Sequence, residues 1–279
     1  MMDNLNHYLN IWRLTDLQPL TQTQTSHLYT VSYQGETAVL KLLTDYGWEE
    51  QRGAAALRFW DGHGAIRLYE SDEKAQLLEY VEGDELVTLV ERGEDEAATR
   101  IIAGVIRQIH GVAQDKPKDG LYPLDKWFQA LFDRAADTAA GDESIYVRGA
   151  AVARRLLDDP REVRVLHGDI HHMNIRYSAK RGWLAFDPKG VVGERTYDCA
   201  NTLCNPFRGQ PAYDPRVHDE ARLLRNAGIL ADALGIALSR VLAYTYRLSC
   251  LSAAWSMEGD AHGRGTVGAQ HRADCRENL

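Results

Sequence analysis

The sequence has few cysteines and no long apolar run, and both absences narrow its class. Its four cysteines, at positions 199, 204, 250 and 275, show neither a CxxC pair nor a zinc-like spacing, so we predict neither disulfides nor a zinc site. No apolar run approaches the roughly 20 residues that a membrane-spanning helix needs. The polar N-terminus lacks a basic segment followed by an apolar core, so no secretory signal is expected. These features favour a cytoplasmic protein without a membrane partner.

Positive charge is also in short supply. The chain has 32 Lys and Arg against 40 Asp and Glu, which gives a net charge of -8. Nucleic-acid-binding proteins usually carry a basic face, so this balance argues against a nucleic-acid partner. It suits a cationic small molecule, although many cytosolic enzymes are acidic for solubility alone. At 44% hydrophobic and 26% charged residues the composition is ordinary for a globular protein.

The first eighty residues are rich in strand patterns. Two runs of β-branched and aromatic residues flank a Gln-Gly-Glu turn, which predicts a hairpin. A helix is predicted from Trp48 to Trp60, where glycines 62 and 64 provide a stop. The predicted strands are residues 28–33, 37–42, 66–69 and 76–81.

The pattern changes to helices after residue 82. Apolar residues from Ala98 to Ile109 recur at helical spacing and form one stripe. Further helices are predicted at 124–139, 144–157 and 222–257, with short strands at 163–166 and 183–186. The predicted fold is therefore α+β, with a small antiparallel-sheet lobe (1–81), a hinge at residues 79–84 and a larger helical lobe (82–279). A ligand cleft is expected between the lobes, and the glycine-containing segment 259–279 is predicted to be a loose tail.

The strongest functional signal is the run from His167 to Asn174, followed by Asp187 at the end of the next predicted strand. Phosphoryl transfer needs an acceptor hydroxyl held in line and Mg²⁺ held against the phosphates. A carboxylate at a strand end, Asp169, can orient and deprotonate the hydroxyl. Asn174 and Asp187 supply the hard oxygen ligands that suit Mg²⁺. Each piece alone could be a capped turn or a strand end, but the combination predicts a phosphotransferase.

The histidines of this run permit a second interpretation, a metallohydrolase with imidazole ligands. Its usual pattern is His-x-His-x-Asp-His, whereas the order here is His-Gly-Asp-Ile-His-His. A zinc site would also need a distant further ligand, and the chain contains no HExxH motif. For His167, His171 and His172, a ring bonded to the loop backbone is the simpler interpretation.

The first lobe offers candidate nucleotide contacts. Lys41 ends the strand Ala-Val-Leu-Lys, similar to the Val-Ala-Ile-Lys strand of kinases, and can place a positive charge on the ATP phosphates. Glu50, with Glu49 as rival, begins the following helix and can hold that lysine. In the hinge, the Glu79 carbonyl and the Val81 N–H could pair with the adenine edge. The segment 21–27 contains no glycine, so phosphate binding there would use hydroxyls and backbone N–H groups.

These residues resemble those of aminoglycoside phosphotransferases, in the branch of streptomycin 6-kinases and hydroxyurea-resistance kinases. The similar segments are residues 52–53, 64–68, 77–80, 166–175, 182–190, 197–198 and 250–255, so the resemblance extends over most of the chain. The resemblance implies a bilobal protein-kinase-like fold and a kinase that uses ATP and Mg²⁺. It also implies that Asp169 is the catalytic base, that Asn174 and Asp187 bind Mg²⁺ and that Lys41 contacts the phosphates. Asp198 would be a buried carboxylate that braces the catalytic loop.

The acceptor implied by the resemblance is a streptomycin-like aminoglycoside, with antibiotic resistance as the outcome. Candidate carboxylates for its guanidinium groups are Asp219, Glu220, Asp232 and Glu258. Two alternatives stay open: a kinase of another small hydroxylated metabolite, and a nucleotide-binding pseudokinase that serves as an interaction module. The complete set of Lys41, Asp169, Asn174 and Asp187 argues against the pseudokinase, because a binding module needs no base.

Overall fold

The computed structural model describes residues 2–47, 49–116, 118–138, 144–205, 216 and 219–261. The strands are β1 (Thr15–Gln22), β2 (Ser26–Tyr33), β3 (Glu36–Leu43), β4 (Leu68–Ser71), β5 (Ala75–Glu79), β6 (Tyr122–Pro123), β7 (Val163–Leu166), β8 (Ile175–Ser178), β9 (Gly182–Ala185) and β10 (Val191–Glu194). The helices are α1 (Met2–Ile11), α2 (Glu50–Trp60), α3 (Val87–Glu91), α4 (Asp95–His110), α5 (Leu124–Trp127), α6 (Gln129–Ala136), α7 (Ile145–Asp158), α8 (Tyr197–Leu203), α9 (Glu220–Leu234) and α10 (Leu238–Ala261).

A five-stranded antiparallel sheet, in the order β1-β2-β3-β5-β4, forms the N-terminal lobe. The predicted hairpin is confirmed as β2 and β3, joined at Gln34 and Gly35, both of which have positive φ. β3 lies mid-sheet and is buried on both faces. Val39 joins a core with α2, and Lys41 lies on the same face because strand side chains alternate. This alternation directs the lysine toward α2 and the junction between the lobes.

The β8–β9 hairpin joins the two lobes. The Ile66 N–H, after α2, donates to the Ala185 carbonyl at 2.9 Å, and the Leu86 N–H, after β5, donates to the Ile175 carbonyl at 2.9 Å. The α2–β4 loop of the N-terminal lobe and the segment that follows the hinge are therefore both bonded to this hairpin. One hydrophobic core also contains residues of both lobes, including Trp60, which is 0% exposed.

The C-terminal lobe is built around α4. Its predicted stripe is confirmed: Ala98, Ile102, Ile106 and Ile109 are all fully buried. α9 packs against α4, while α10 packs against α6, α7 and α8 around a second core. Within the described part of the chain, no helix has the length and apolarity to cross a membrane.

The structure corrects several predicted elements. The single helix predicted over 222–257 is two helices, α9 and α10, because Gly235 adopts a left-handed conformation (φ 65°) that ends α9. The helix predicted over 124–139 is likewise divided into α5 and α6. β4 begins two residues later than predicted, since Ile66 is bonded to the β8–β9 hairpin rather than to the sheet. The elements α1, β1, α3, β6, α8, β8 and β10 were not predicted.

The predicted loose tail begins too early. α10 continues to Ala261, so the first three residues of the segment 259–279 are helical. The remainder, residues 262–279, lies outside the described residues.

Helix α2 lies against the loop that follows Asp187. A Cβ atom on Gly53 would clash with the Pro188 carbonyl oxygen, and one on Gly190 would clash with the Arg52 carbonyl oxygen. Two glycines, one on each partner, thus allow the helix backbone and the loop backbone to touch. This contact fixes the position of the helix that carries Glu50.

Replacing Gly53 with alanine should lower the free energy of unfolding, because the added Cβ would force α2 away from Pro188. Gly104→Ala in α4 is the matched control, since a Cβ there meets nothing within 4 Å. Alanine is favoured over glycine inside a helix by about 0.5–1 kcal/mol, so the control should be stabilised. Urea unfolding of both variants measures the difference. Equal stabilisation of the two would contradict the close packing of α2.

Candidate active site

The β8–β9 hairpin brings two predicted metal ligands together. Ile175 pairs with Ala185, so Asn174 precedes one strand at the point where Asp187 follows the other. The Phe186 N–H donates to the Asn174 carbonyl at 2.9 Å and closes this end of the hairpin. Asp187 has a positive φ of 57°, a conformation unusual outside glycine and enriched at functional sites. Antiparallel pairing thus places residues thirteen positions apart side by side.

A buried carboxylate braces the loop that carries Asp169. Asp198, fully buried at the start of α8, accepts hydrogen bonds from the His167 N–H (3.0 Å) and the Gly168 N–H (2.9 Å). Asp198 also contacts α4, because His110 Nε2 lies 2.8 Å from Asp198 Oδ2. Gly168 has φ 81°, which suits glycine, and this turn presents Asp169 at the loop's edge. The structure therefore places Asp198 where the resemblance implied, as a brace.

The three histidines of the loop do not converge on a metal position. The Nδ1 atom of His167 accepts from the Asp169 N–H, and its Nε2 lies 3.0 Å from the Phe186 carbonyl, which identifies the neutral ring as an Nε2–H donor. His171 Nδ1 accepts from the Met173 N–H at 3.2 Å. Among the described residues, no three His, Cys, Asp or Glu side chains converge to hold a metal ion. The geometry thus favours the backbone-bonded interpretation for His167 and His171. For His172 that interpretation is wrong, because neither ring nitrogen has a hydrogen-bond partner among the described residues.

Asp169 is oriented by two neighbours. The Asn201 amide donates to Asp169 Oδ1 at 2.6 Å, and His171 Nε2 lies 3.8 Å from the same oxygen. Burial raises the pKa of Asp169, but His171, Lys189 and the Asn201 hydrogen bond together hold it below its ordinary value. The carboxylate is therefore ionised at neutral pH, and its second oxygen stays available to accept a proton. Asn201 was missed by sequence reasoning, because α8 itself was not predicted.

Lys41 is held by two carboxylates from opposite lobes. Its Nζ lies 2.7 Å from Glu50 Oε2 and 2.8 Å from Asp187 Oδ1. Burial lowers the pKa of the Lys41 ammonium, but the two negative charges outweigh burial and the pKa lies above its ordinary value. The rival residue, Glu49, lies 3.6 Å from Arg52 instead. The structure therefore brings Glu50, and not Glu49, to the lysine.

The turn between β1 and β2 takes the place of a glycine-rich loop. The Thr23 N–H donates to the Ser26 carbonyl at 2.8 Å, and the Thr23 hydroxyl accepts from the Ser26 N–H at 3.0 Å. At the tip, the Thr25 hydroxyl donates to Glu50 Oε1 at 3.0 Å. A side-chain hydroxyl therefore closes this turn and connects its tip to the Lys41–Glu50 pair.

The hinge groups predicted to contact a nucleotide are the Val81 N–H and the Glu79 carbonyl. Among described residues, the Val81 N–H has no hydrogen-bond acceptor, which leaves it available to a ligand. The Glu79 side chain, by contrast, is committed within the protein: it accepts from the Arg67 N–H at 2.8 Å and pairs with Arg181. Glu79 thus ties the end of β5 to the β8–β9 turn, a contribution that its position in a strand did not reveal.

A five-stranded sheet lobe, a hinge and a helical lobe, with a lysine–glutamate pair facing an Asp-Asn-Asp set, define a protein-kinase-like phosphotransferase. Solved structures share this fold. An aminoglycoside phosphotransferase crystallised with ADP and hygromycin B matches with a TM-score of 0.59 at 12% identity, over 97% of both chains. A choline/ethanolamine kinase family protein from Mesorhizobium loti matches with a TM-score of 0.68 at 14% identity, over 99% of this chain and 93% of that chain.

Sequence comparison then gives the family. Residues 11–259 match the aminoglycoside/hydroxyurea antibiotic resistance kinases, and the chain belongs to this family. A streptomycin 3''-kinase of Klebsiella pneumoniae is 38% identical over 88% of this chain and 89% of its own length. A streptomycin 6-kinase of Streptomyces glaucescens is 28% identical over 80% of this chain and 72% of its own. The protein is accordingly a small-molecule kinase with an alcohol group as acceptor, which removes the pseudokinase alternative.

His172 gives this site a pH-sensitive element. Its ring, in the loop of residues 167–174, is fully buried, and neither nitrogen has a hydrogen-bond partner among the described residues. Burial, with Arg222 nearby, lowers the pKa of His172 from 6.5 to about 3. The folded protein therefore holds this ring neutral, whereas the unfolded chain protonates it below about pH 6.5.

Acidification between about pH 6.5 and pH 3 should accordingly lower the free energy of unfolding, by up to about 1.4 kcal/mol per pH unit from this group. The sign follows because the unfolded state binds one more proton in that window. His172→Leu should weaken the dependence of the unfolding free energy on pH, whereas His7→Leu on the exposed face of α1 should leave it unchanged. Urea unfolding at several pH values measures both slopes. An unchanged slope in His172→Leu would show that other groups carry the acid response.

Proposed function

We propose that this protein transfers the γ-phosphoryl group of ATP to a hydroxyl of a streptomycin-like aminoglycoside, and thereby confers antibiotic resistance. The observation that carries the proposal is the meeting of Asp169, Asn174, Asp187 and the Lys41–Glu50 pair at the junction of the lobes. The family and its named streptomycin kinases support the acceptor class.

In this mechanism Asp169 is the catalytic base. The acceptor hydroxyl binds against Asp169 Oδ2, while the Asn201 amide holds Oδ1 at 2.6 Å and fixes the plane of the carboxylate. As the hydroxyl oxygen bonds to the γ-phosphorus, its proton passes to Asp169 and the bond to ADP breaks. Phosphoryl transfer depends mainly on such positioning and on electrostatic stabilisation.

The residues present fit a Mg²⁺ ion. The Asn174 amide nitrogen donates to the Asp169 carbonyl at 2.9 Å, so the amide oxygen is the atom left to bind a ligand. Burial raises the pKa of Asp187, but Lys189 and Lys41 lower it well below its ordinary range, and the carboxylate is ionised. An amide oxygen and a carboxylate are the hard donors that Mg²⁺ prefers. When bound, the ion would neutralise charge on the phosphates.

ATP would lie between the lobes, divided as residues 1–81 and 82–279. Lys41 would contact its phosphates, and the adenine edge would pair with the Val81 N–H and the Glu79 carbonyl. The unpaired state of the Val81 N–H among described residues supports this placement. Because ATP is an intracellular cosubstrate, we infer that the enzyme works in the cytoplasm, with a small molecule rather than a nucleic acid as partner.

The candidate carboxylates for a cationic acceptor lie on or next to α9 and α10. Of the candidate carboxylates, Asp219 caps α9 by accepting from the Arg222 N–H at 3.2 Å, and Glu220 and Asp232 are exposed on the same helix. The side chain of Glu258 lies outside the described set. The site itself has three carboxylates, on Asp169, Asp187 and Glu50, against two lysines. This local excess of negative charge, with the net charge of -8, supports a cationic acceptor.

Asp169→Asn should lower kcat by roughly 10²–10⁴, because a positioned acid–base group is worth that much, and should leave nucleotide affinity nearly unchanged. The substitution preserves the shape of the side chain and removes only its ability to take a proton. Asp158→Asn, at the exposed end of α7, is the control and should behave like the wild type. Steady-state kinetics and ADP titration measure both quantities. Near wild-type turnover in Asp169→Asn would reject this residue as the base.

The acceptor is tested by incubating purified protein with Mg-ATP and a panel of aminoglycosides and neutral hydroxylated metabolites. We expect streptomycin to be phosphorylated. Its KM at saturating ATP should rise with ionic strength, because exposed charges are screened over about 10 Å at 0.1 M salt. Two-dimensional NMR of the product identifies the modified hydroxyl, since the named relatives comprise both 3''- and 6-kinases. If only a neutral metabolite is phosphorylated and streptomycin is not, the protein is a metabolite kinase rather than an aminoglycoside kinase.

A further inference from the structure

Lys189 is a second lysine in the active site, and its environment differs from that of Lys41. Within the part of the chain that the structure describes, its Nζ has one acidic contact within 4 Å, with Asp187 Oδ2 at 3.4 Å, and 34% of its side chain is exposed. The Lys41 side chain is 9% exposed and has two carboxylates within 2.8 Å. Lys41 therefore uses two of its three N–H donors on carboxylates of both lobes, whereas Lys189 keeps more of its donors available for a ligand.

The backbone of Lys189, two residues after Asp187, is also bonded to the loop that carries Asp169. Its N–H donates to the His167 carbonyl at 2.7 Å, two residues before Asp169. Its Cβ lies 3.2 Å from the position that a Cβ on Gly168 would occupy. The stem of Lys189 thus packs directly on the turn that presents Asp169, and the side chain continues toward Asp187.

Lys189 therefore lies between the turn that presents Asp169 and the carboxylate of Asp187. Asp187 marks the end where the nucleotide phosphates and metal are held, and Asp169 marks the end where the acceptor hydroxyl binds. The ammonium of Lys189 interacts electrostatically with both carboxylates. A phosphoryl group that moves from ATP to the acceptor must cross the space between these carboxylates, which would repel its oxygens.

We propose that Lys189 binds the phosphoryl group during its transfer and is a catalytic residue of this enzyme; this inference rests on the proposed function. The acceptor oxygen forms a bond to the γ-phosphorus as the bond to the β–γ bridging oxygen breaks, and ADP leaves with the electron pair. The acceptor proton goes to Asp169. Lys189 keeps its own proton throughout and donates hydrogen bonds to the phosphoryl oxygens, whose charge it stabilises.

The test compares Lys189→Met and Lys189→Arg with Lys180→Met, a control on the β8–β9 turn with 78% side-chain exposure. Removing one such donor costs about 10²–10³ in rate, so kcat of Lys189→Met should fall by that factor. Affinity for ADP, which lacks the transferred group, should stay within about threefold by isothermal titration. Lys189→Arg should recover part of kcat, because a guanidinium also binds phosphate. The control should match the wild type.

The same variants are compared in slow ATP hydrolysis without acceptor, which requires phosphoryl transfer to water. A loss of hydrolysis in Lys189→Met supports the inference even if no aminoglycoside is phosphorylated, so the two proposals fail separately. Wild-type kcat in Lys189→Met would overturn it. A fall in ADP affinity as large as the fall in kcat would also overturn it, because that result assigns Lys189 to nucleotide binding. Lys189→Arg, which keeps the charge beside Asp187, preserves the test if the methionine variant folds poorly.

Discussion

The ion pair between Lys41 and Asp187 is the interaction on which the rest of the site depends. It connects β3 of the N-terminal lobe with the end of the β8–β9 hairpin, and Glu50 completes it from α2. Removing such charges from water is costly, and a buried ion pair is weak evidence for added stability. Its consequence is geometric: the ammonium has two close acidic partners only when sheet, helix and hairpin are correctly placed. The network thus specifies one arrangement of the lobes.

A second carboxylate performs the corresponding task inside the C-terminal lobe. Asp198 has no exposed surface, and each of its oxygens accepts from the backbone or side chain of another element. A buried carboxylate whose oxygens are all hydrogen-bonded rigidifies the groups that bond to it, whereas an unpaired one is strongly destabilising. His110 and the turn at Gly168 are therefore held together by one anion. Asp169 can remain one-third exposed because the backbone beneath it is fixed.

The sequence was informative where chemistry and local pattern coincide. Asp169, Asn174 and Asp187 lie in two short segments whose residue types already suit phosphoryl transfer. Hairpin pairing brings Asn174 and Asp187 together, and the Asn174 amide donates to the Asp169 carbonyl. Contacts set by tertiary packing could not be predicted in this way. Asn201 meets Asp169 from a helix 32 residues away. Gly235 was visible in the sequence, but continuous apolar spacing on both sides concealed the helix end that it forms.

The glycine-free β1–β2 turn and the two glycines at the contact between α2 and the loop after Asp187 both position Glu50. The Thr25 hydroxyl of the β1–β2 turn bonds to Glu50, while Gly53 allows the same helix to touch the Pro188 backbone. Glu50 is thus constrained from both sides before any nucleotide binds. A glycine-rich turn would lack the Thr25–Glu50 hydrogen bond, and a side chain at position 53 would remove the contact between α2 and Pro188. The local sequence choices therefore hold Lys41 and Glu50 in place in advance, which under the proposed function would reduce the conformational cost of binding ATP.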